Sequence, residues 1–414
     1  MEKKNSTNKW IAFIVLTLSA GLIYRVPYLK SVFYDPLVQA FGISNTEVGL
    51  MMSSYSLTKT ALYIPAGILV DRFDNRKMLT ASMALLAIIT FIYATIPSMT
   101  VMYILQALMA VSNVIFWVAF VKAVRMFGSA KEQGSVFGYS EGIRAVASLI
   151  INFIALALYA KFEATNGLSS VLILYGVTYI ICGIGIYFLI PSGTGAEDGK
   201  AVPTLKDYIA VLKVPAVWLV ALLVMTAYSV QVASEYTTPY LNNVMMMGVV
   251  VAGIVGTIRS YGVGLFAAPI IGKVTDKVKV PYSTSCIALL TLEIICTAVL
   301  LVLPGEPNYV MVCIVAVLAF ACFMYALRGV YYATMGEAGV PVAMTGTATG
   351  IISVIGYLPD TYMSLLIGDK LDKYPGAAGY KYIFIYMIVF AVAAICIAFI
   401  INRIGKKNAA KAAQ

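Results

Sequence analysis

The chain has 414 residues, 61% of them apolar and only 12% charged, about half the charged share of roughly 25% usual in soluble domains. So apolar a composition cannot be hidden inside a water-soluble globule, which excludes a soluble enzyme and an acidic disordered chain. The charges are 29 Lys and Arg against 19 Asp and Glu, a formal +10, and histidine is absent, so no imidazole base, ligand or pH switch is available.

Runs of about 20 apolar residues can cross a bilayer as helices. In chain order they cover 10–29, 47–70, 78–96, 101–121, 135–159, 168–190, 216–240, 245–271, 282–303, 309–333, 346–368 and 380–402. Helix is the expected state, because a lipid-exposed strand leaves its backbone unsatisfied unless the sheet closes. The first run lacks a small-residue cleavage site and is followed by eleven more, so it reads as a retained helix. Connections as short as Pro97-Ser98-Met99-Thr100 make successive spans antiparallel neighbours.

An even number of spans puts both termini on one side. Most Lys and Arg fall in the N-terminal segment, 71–77, 125–131, 191–215, 273–279 and the C-terminal tail. The opposite loops hold Lys30, Lys161, Lys370, Lys373 and Lys381. Positive loops stay inside, so both termini are expected in the cytoplasm. The basic surplus is then mostly an orientation signal and not a nucleic-acid footprint. Cys182, Cys286, Cys296, Cys313, Cys322 and Cys396 all fall within spans, as small packing residues. No metal-ligand spacing and no phosphate-cradling or other cofactor motif is present.

The segment 191–215 is polar and Gly-rich, which is linker composition. It divides the chain into an N-terminal six-helix bundle (1–190) and a C-terminal one (216–414). The halves share marks. Gly67-Ile68-Leu69-Val70-Asp71-Arg72-Phe73-Asp74-Asn75-Arg76-Lys77 follows the second span, and Gly272-Lys273-Val274-Thr275-Asp276-Lys277 follows the eighth. Gly134-Ser135-Val136-Phe137-Gly138 opens the fifth span, and Gly346-Thr347-Ala348-Thr349-Gly350 opens the eleventh. Similar marks at similar offsets indicate a duplicated unit.

With twelve spans, a central cytoplasmic loop and Gly-x-x-x-Asp-Arg-x-x-x-Arg-Lys after the second helix, the chain resembles the major facilitator superfamily over essentially its whole length. The resemblance implies an all-α membrane protein of twelve transmembrane helices in two pseudo-symmetric six-helix bundles. It also implies that the first, second, fourth and fifth helices and their counterparts line a central cavity. The motif residues Gly67, Asp71, Arg72, Arg76 and Lys77, with Arg125 as basic partner, would latch the cytoplasmic side. Gly272, Asp276 and Lys277 form a shorter second copy. The alternative is that these charges only orient the chain.

A charge at mid-bilayer needs a partner or a wet cavity. Arg25, Lys59, Lys122, Arg144, Arg259 and Arg328, with Glu141, Glu235, Glu293 and Asp360, lie inside spans, and every basic one is on a helix that the resemblance makes cavity-lining. At about 1.5 Å per residue, Arg25 and Arg259 lie roughly 20 Å from the cytoplasmic edge, one in each half. They are expected to close on one anion, with Tyr24, Tyr28 and Tyr261 as hydroxyl-bearing walls; structural pairing, with Glu235 for example, is the alternative. Glu141 and Arg144, three apart, are expected to pair. Lys59 and Asp360 suit an ion pair that breaks and remakes during transport. Lys122 and Arg328 could attract or release an anion. Glu293 is expected to be buried in a helix contact.

Together these features point to a monomeric secondary transporter of a small, carboxylate-type anion, working as an exchanger or a proton symporter in the cytoplasmic membrane. In look it is nearest the oxalate–formate, nitrate and organophosphate branches. It departs from the oxalate pattern in carrying Asp360 and no lysine on the eleventh helix, and it lacks the Gly-rich nitrate signature. A carrier of amino acids or small peptides is the second reading, and a membrane receptor or scaffold the third.

Overall fold

A computed structural model of the chain describes residues 2–127, 133–162, 164–192, 205–267, 270, 280–341 and 344–412. Among these residues there is no strand. Contacts divide the chain into two units, Met1–Gly199 and Lys200–Gln414.

The first unit consists of α1 (Glu2–Leu22), α2 (Lys30–Phe41), α3 (Asn45–Arg72), α4 (Asn75–Ala94), α5 (Met99–Arg125), α6 (Gln133–Phe162) and α7 (Ala164–Leu189). Its helix ends are written in the sequence. Ser44 caps α3 and forms a capping box with Glu47, each side chain meeting the other's backbone N–H. Asp74 caps α4 by accepting from the Lys77 N–H at 3.0 Å. Before α3 the chain turns at Gly42, whose φ of +61° suits a residue without a Cβ. Packing pairs α4 with α7, α3 with α5, and α1 with α6. Hydroxyls stitch the helices through backbone carbonyls, as in Ser112 to Ser82 O (2.6 Å) and Ser54 to Tyr103 O (2.9 Å). Such polar ties and small residues at crossings replace the hydrophobic drive that is absent between helices in lipid.

The second unit begins with α8 (Leu205–Leu212), a short helix inside the segment read above as plain linker. Then come α9 (Pro215–Ser234), α10 (Thr237–Asn243) and α11 (Val249–Thr257). They are followed by α12 (Tyr282–Val302), α13 (Val310–Val330), α14 (Thr334–Ala338), α15 (Thr345–Gly356), α16 (Pro359–Lys373) and α17 (Ala377–Ala412). Proline opens α9 and α16, where its missing N–H costs nothing. The N-terminus of α12 is clamped from two other helices. The carboxylate of Glu337 on α14 accepts from the Tyr282 and Ser283 N–H groups, and Asn402 on α17 donates to Ser283 Oγ (3.0 Å) and Thr284 Oγ1 (2.8 Å). Packing sets α9 against α17 and α15, and α12 against α13 and α17.

Among the described residues ten helical stretches are long and apolar enough to cross a membrane, and Lys9–Leu22 is a shorter apolar one. Large apolar side chains such as Ile181, Phe188, Met311 and Val315 lie on their outsides, the normal state for a surface that meets acyl chains.

Several expected spans are not continuous helices. The first run, 10–29, ends as helix at Leu22, and 23–29 is a series of turns before α2 resumes the path. Pro27 accounts for this, since it has no N–H to donate and its ring crowds the carbonyl four residues back. Lys30, expected in an outer loop, is therefore the buried first residue of α2. The seventh run breaks at Glu235–Tyr236, and the eleventh at Tyr357–Leu358. The eighth run holds a π-turn at Ile258–Gly262, closed by Val263 N–H to Ile258 O at 3.0 Å. The tenth passes through a 3-10 turn at Tyr331–Ala333.

Candidate functional site

In the first unit the breach in the helix carries the candidate residues. Arg25 sits on the unwound segment and is 8% exposed, while Tyr24 and Tyr28 on either side of it are half-buried. The two tyrosine rings lie 6.2 Å apart, Tyr24 lies 6.2 Å from Trp117, and Tyr28 lies 5.5 Å from Tyr55. Lys59, also buried, donates to the Tyr28 hydroxyl at 3.2 Å and stands 5.5 Å from the centre of the Tyr55 ring. Asn113 donates to the Tyr55 hydroxyl at 2.9 Å. The Arg144 guanidinium lies over Trp117 at 4.7 Å and pairs with the exposed carboxylate of Glu141. The structure thus joins Tyr24, Tyr28, Lys59, Glu141 and Arg144 through aromatic rings. Lys122 is set apart, reaching toward Val70 O at 3.5 Å.

Tyr55, Asn113 and Trp117 were not singled out from sequence. Their signal is the spacing: Tyr55 with Lys59 on α3 and Asn113 with Trp117 on α5 are four apart, so each pair faces one way on its helix.

In the second unit the acids lie at the breaks. Glu235 stands at the C-cap of α9. Asp360, 2% exposed in the first turn of α16, accepts from the Tyr228 hydroxyl at 3.0 Å, and Tyr228 packs edge-on against Tyr357 at 4.7 Å. Arg259, in the π-turn, is 2% exposed. Its Nη1 donates to Ser234 Oγ at 3.3 Å, while Nε and Nη2 are buried and have no hydrogen-bond partner. Glu235, Tyr261 and Tyr325 are its electrostatic neighbours. Tyr325 donates to Ser260 O in the same turn, and its ring carries the Arg328 guanidinium at 5.7 Å. Glu293 lies away from this group, in the middle of α12, 1% exposed, with neither carboxylate oxygen hydrogen-bonded.

The two broken helices share a motif that sequence reading passed over. Tyr24-Arg25-Val26-Pro27-Tyr28 returns as Tyr236-Thr237-Thr238-Pro239-Tyr240, with the separation that relates Gly134 to Gly346. In the second copy both tyrosines are buried. Tyr236 donates to Ser364 O at 3.3 Å, and Tyr240 packs on Tyr380 and Phe384.

Of the latch residues, Arg72 and Lys77 are exposed, and Arg76 lies over the Tyr187 ring at 5.2 Å. Gly67, Asp71 and Arg125 are in helices, but their surroundings lie outside the described residues. Gly272, Asp276 and Lys277 lie wholly outside them. Among the described residues no group of Cys, Asp or Glu could hold a metal ion.

Comparison with known proteins agrees with this architecture. The inner membrane protein YqcE of Escherichia coli is 30% identical over 385 residues, covering 91% of each chain. The inner membrane protein YihN of the same organism is 29% identical over 411 residues, covering 97% of each. Among solved structures, a bacterial homolog of the human lysosomal transporter Spinster, in an inward-facing, unoccupied conformation, superposes with a TM-score of 0.78 at 15% identity. It covers 97% of this chain and 98% of that one. The nucleoside transporter NupG gives 0.71 at 12% identity, over 96% and 98%. The family model of the Major Facilitator Superfamily matches residues 10–364. The chain is a multi-pass membrane transporter and belongs to the Major Facilitator Superfamily.

Proposed function

We propose that this transporter moves a small organic anion of the carboxylate type by alternating access, as an exchanger or a proton symporter, with both termini in the cytoplasm. The observation that carries the reading is Arg259: a buried guanidinium with two nitrogens lacking a hydrogen-bond partner, set in a helical bulge. A buried cation with open donor positions is costly unless something completes them, and a guanidinium fork matches the paired oxygens of a carboxylate or phosphate. Bulges of this kind are frequent at functional sites. Arg25 supplies the second guanidinium, from the unwound segment of the other unit. Tyr24, Tyr28 and Tyr261 supply walls and hydroxyls, and Lys122 and Arg328 draw the anion in or release it.

In this reading the protein acts as a monomer and needs no cofactor. Its coupled ligand is a proton, carried by Glu141, Glu235, Glu293 or Asp360, or a counter-anion. Lys59 and Asp360 are coupled in the cycle, and Gly67, Asp71, Arg72, Arg76, Lys77 and Arg125, with Gly272, Asp276 and Lys277, form the cytoplasmic latch.

A second reading, a carrier of amino acids or small peptides, is favoured by Glu235, which could meet an amine beside Arg259. Thermal-shift measurements on the purified protein with acetate, succinate, glucose 6-phosphate, alanine and dialanine separate the two. Stabilisation by succinate or glucose 6-phosphate that is lost in both Arg25→Ala and Arg259→Ala is the expected result. Equal stabilisation of wild type and both variants would sink the arginine assignment, and a response to alanine or dialanine alone would favour the second reading.

A further inference from the structure

The breach in the first helix breaks the hydrogen-bond pattern at two carbonyls, and Gly21 O loses its backbone donor. In a continuous helix Gly21 O would accept from the Arg25 N–H and Leu22 O from the Val26 N–H. Here the Arg25 N–H turns to Leu22 O at 2.9 Å. The Ser148 hydroxyl of α6 is shared between Gly21 O at 3.0 Å and Arg144 O of its own helix at 2.8 Å, and the Tyr179 hydroxyl of α7 donates to Leu22 O at 3.1 Å. Both side chains are buried, Ser148 at 4% and Tyr179 at 0% exposure. Behind them the chain of bonds continues. Asn152 donates to Ser148 O at 2.9 Å, and Tyr175, one turn before Tyr179, donates to Asn152 Oδ1 at 2.9 Å. Gly21 lets α1 touch the α6 backbone at this level, since a Cβ there would stand 2.7 Å from Arg144 O.

A buried carbonyl without a donor favours any conformation that finds it one. Gly21 O has lost its helical donor, and the Ser148 hydroxyl lies beside it; the Tyr179 hydroxyl meets both Leu22 O and the Val26 backbone, the two ends of the bond that rewinding would close. We infer that Ser148 and Tyr179 are positioning residues: they hold α1 unwound at 23–29, and through that segment they set the orientation of Arg25 and hence the affinity for the anion. The inference rests on the assignment of Arg25 to substrate binding given above.

The test uses the full-length protein in detergent and the same acetate, succinate and glucose 6-phosphate series. Tyr179→Phe and Ser148→Ala are expected to raise the half-stabilising anion concentration about tenfold, the scale of one lost buried hydrogen bond. On an Arg25→Ala background Tyr179→Phe should add no further loss. Ser169→Ala, which removes a comparable tie from α7 to Ala94 O (3.0 Å) far from the breach, should leave the concentration unchanged. Amide hydrogen exchange over 23–29 should quicken in Tyr179→Phe and not in Ser169→Ala. Unchanged affinity and unchanged exchange in Tyr179→Phe would overturn the inference, as would an equal loss in Ser169→Ala. If Arg25→Ala binds as tightly as wild type, the anion assignment fails instead, and the exchange measurement alone decides whether Tyr179 holds the breach.

Discussion

Single side chains in these bundles are governed by what completes their polar atoms. Arg144 is held twice, by Glu141 and by the face of Trp117. Because Glu141 is exposed, Glu141→Gln is expected to cost well under about 1 kcal/mol, measured by thermal melting. Glu293 is the opposite case, a carboxyl with both oxygens buried and neither hydrogen-bonded. Replacing such a group by an apolar one of similar size removes a desolvation cost, so Glu293→Leu is expected to stabilise the protein by about 1–3 kcal/mol. A fall in the melting temperature of that variant would show that the carboxyl has a partner essential to the fold. Arg259 falls between the two, with one nitrogen satisfied and two open. Arg259→Lys keeps the charge and loses the fork, and an at least tenfold weaker response to the anions in the thermal-shift series is expected.

At the scale of elements, apolar runs located most of the long helices to within a few residues but missed α2 and α8, the polar start of α1 and the polar end of α17, while cap signals such as Ser44 with Glu47 and Pro359 mark the observed starts of α3 and α16. Continuity was not legible. Hydropathy measures how greasy a stretch is, and an unwound turn of apolar residues is as greasy as a helical one. Pro27 and Pro239 stand at two of the breaks, and the repeated Tyr-x-x-Pro-Tyr around them marks these more sharply than either proline alone. The π-turn at Arg259 has no compositional signature, since its extra residue is defined only by where Val263 N–H goes. The candidate cations were legible because a charge in an apolar run stands out. Their aromatic partners Tyr55 and Trp117 were not, because aromatic residues are common everywhere in such a chain. The crossing at Gly21 gives a direct test of element packing. A Cβ there meets Arg144 O at 2.7 Å and its Cα at 3.0 Å, backbone atoms that cannot step aside. Gly21→Ala is therefore expected to destabilise by about 1–3 kcal/mol, read as a lower melting temperature with the response to anions also weakened.

At the scale of the whole molecule, the basic surplus read from composition separates into loop charge and span charge. Among the span charges, Lys59 and Asp360 each rest on a tyrosine of their own unit, Tyr28 and Tyr228. If the two are coupled in transport, Lys59→Asp and Asp360→Lys should each abolish uptake into proteoliposomes, and the double exchange should recover a measurable part of it. No recovery in the double variant would refute the coupling. The clamp on α12 is a second whole-unit feature, because Glu337, Asn402 and the helix start bring three helices together. Glu337→Ala should cost about 1–2 kcal/mol, as loss of a helix cap does, and should loosen amide exchange over 280–286 before any other part of the second unit.

The two copies of Tyr-x-x-Pro-Tyr have diverged in how much freedom they leave to mutation. Tyr236 and Tyr240 are enclosed by the packing of their own bundle, whereas Tyr24 and Tyr28 are half-open and flank a cation. In a saturation library the second pair should admit little beyond other aromatics, with losses registering as absent protein. The first pair should admit many residues that still give folded protein, with the differences registering in which compound is carried. If Tyr24 and Tyr28 meet substrate as proposed, a duplicated break offers a route to new specificity, one copy keeping the joint intact while the other changes what it meets.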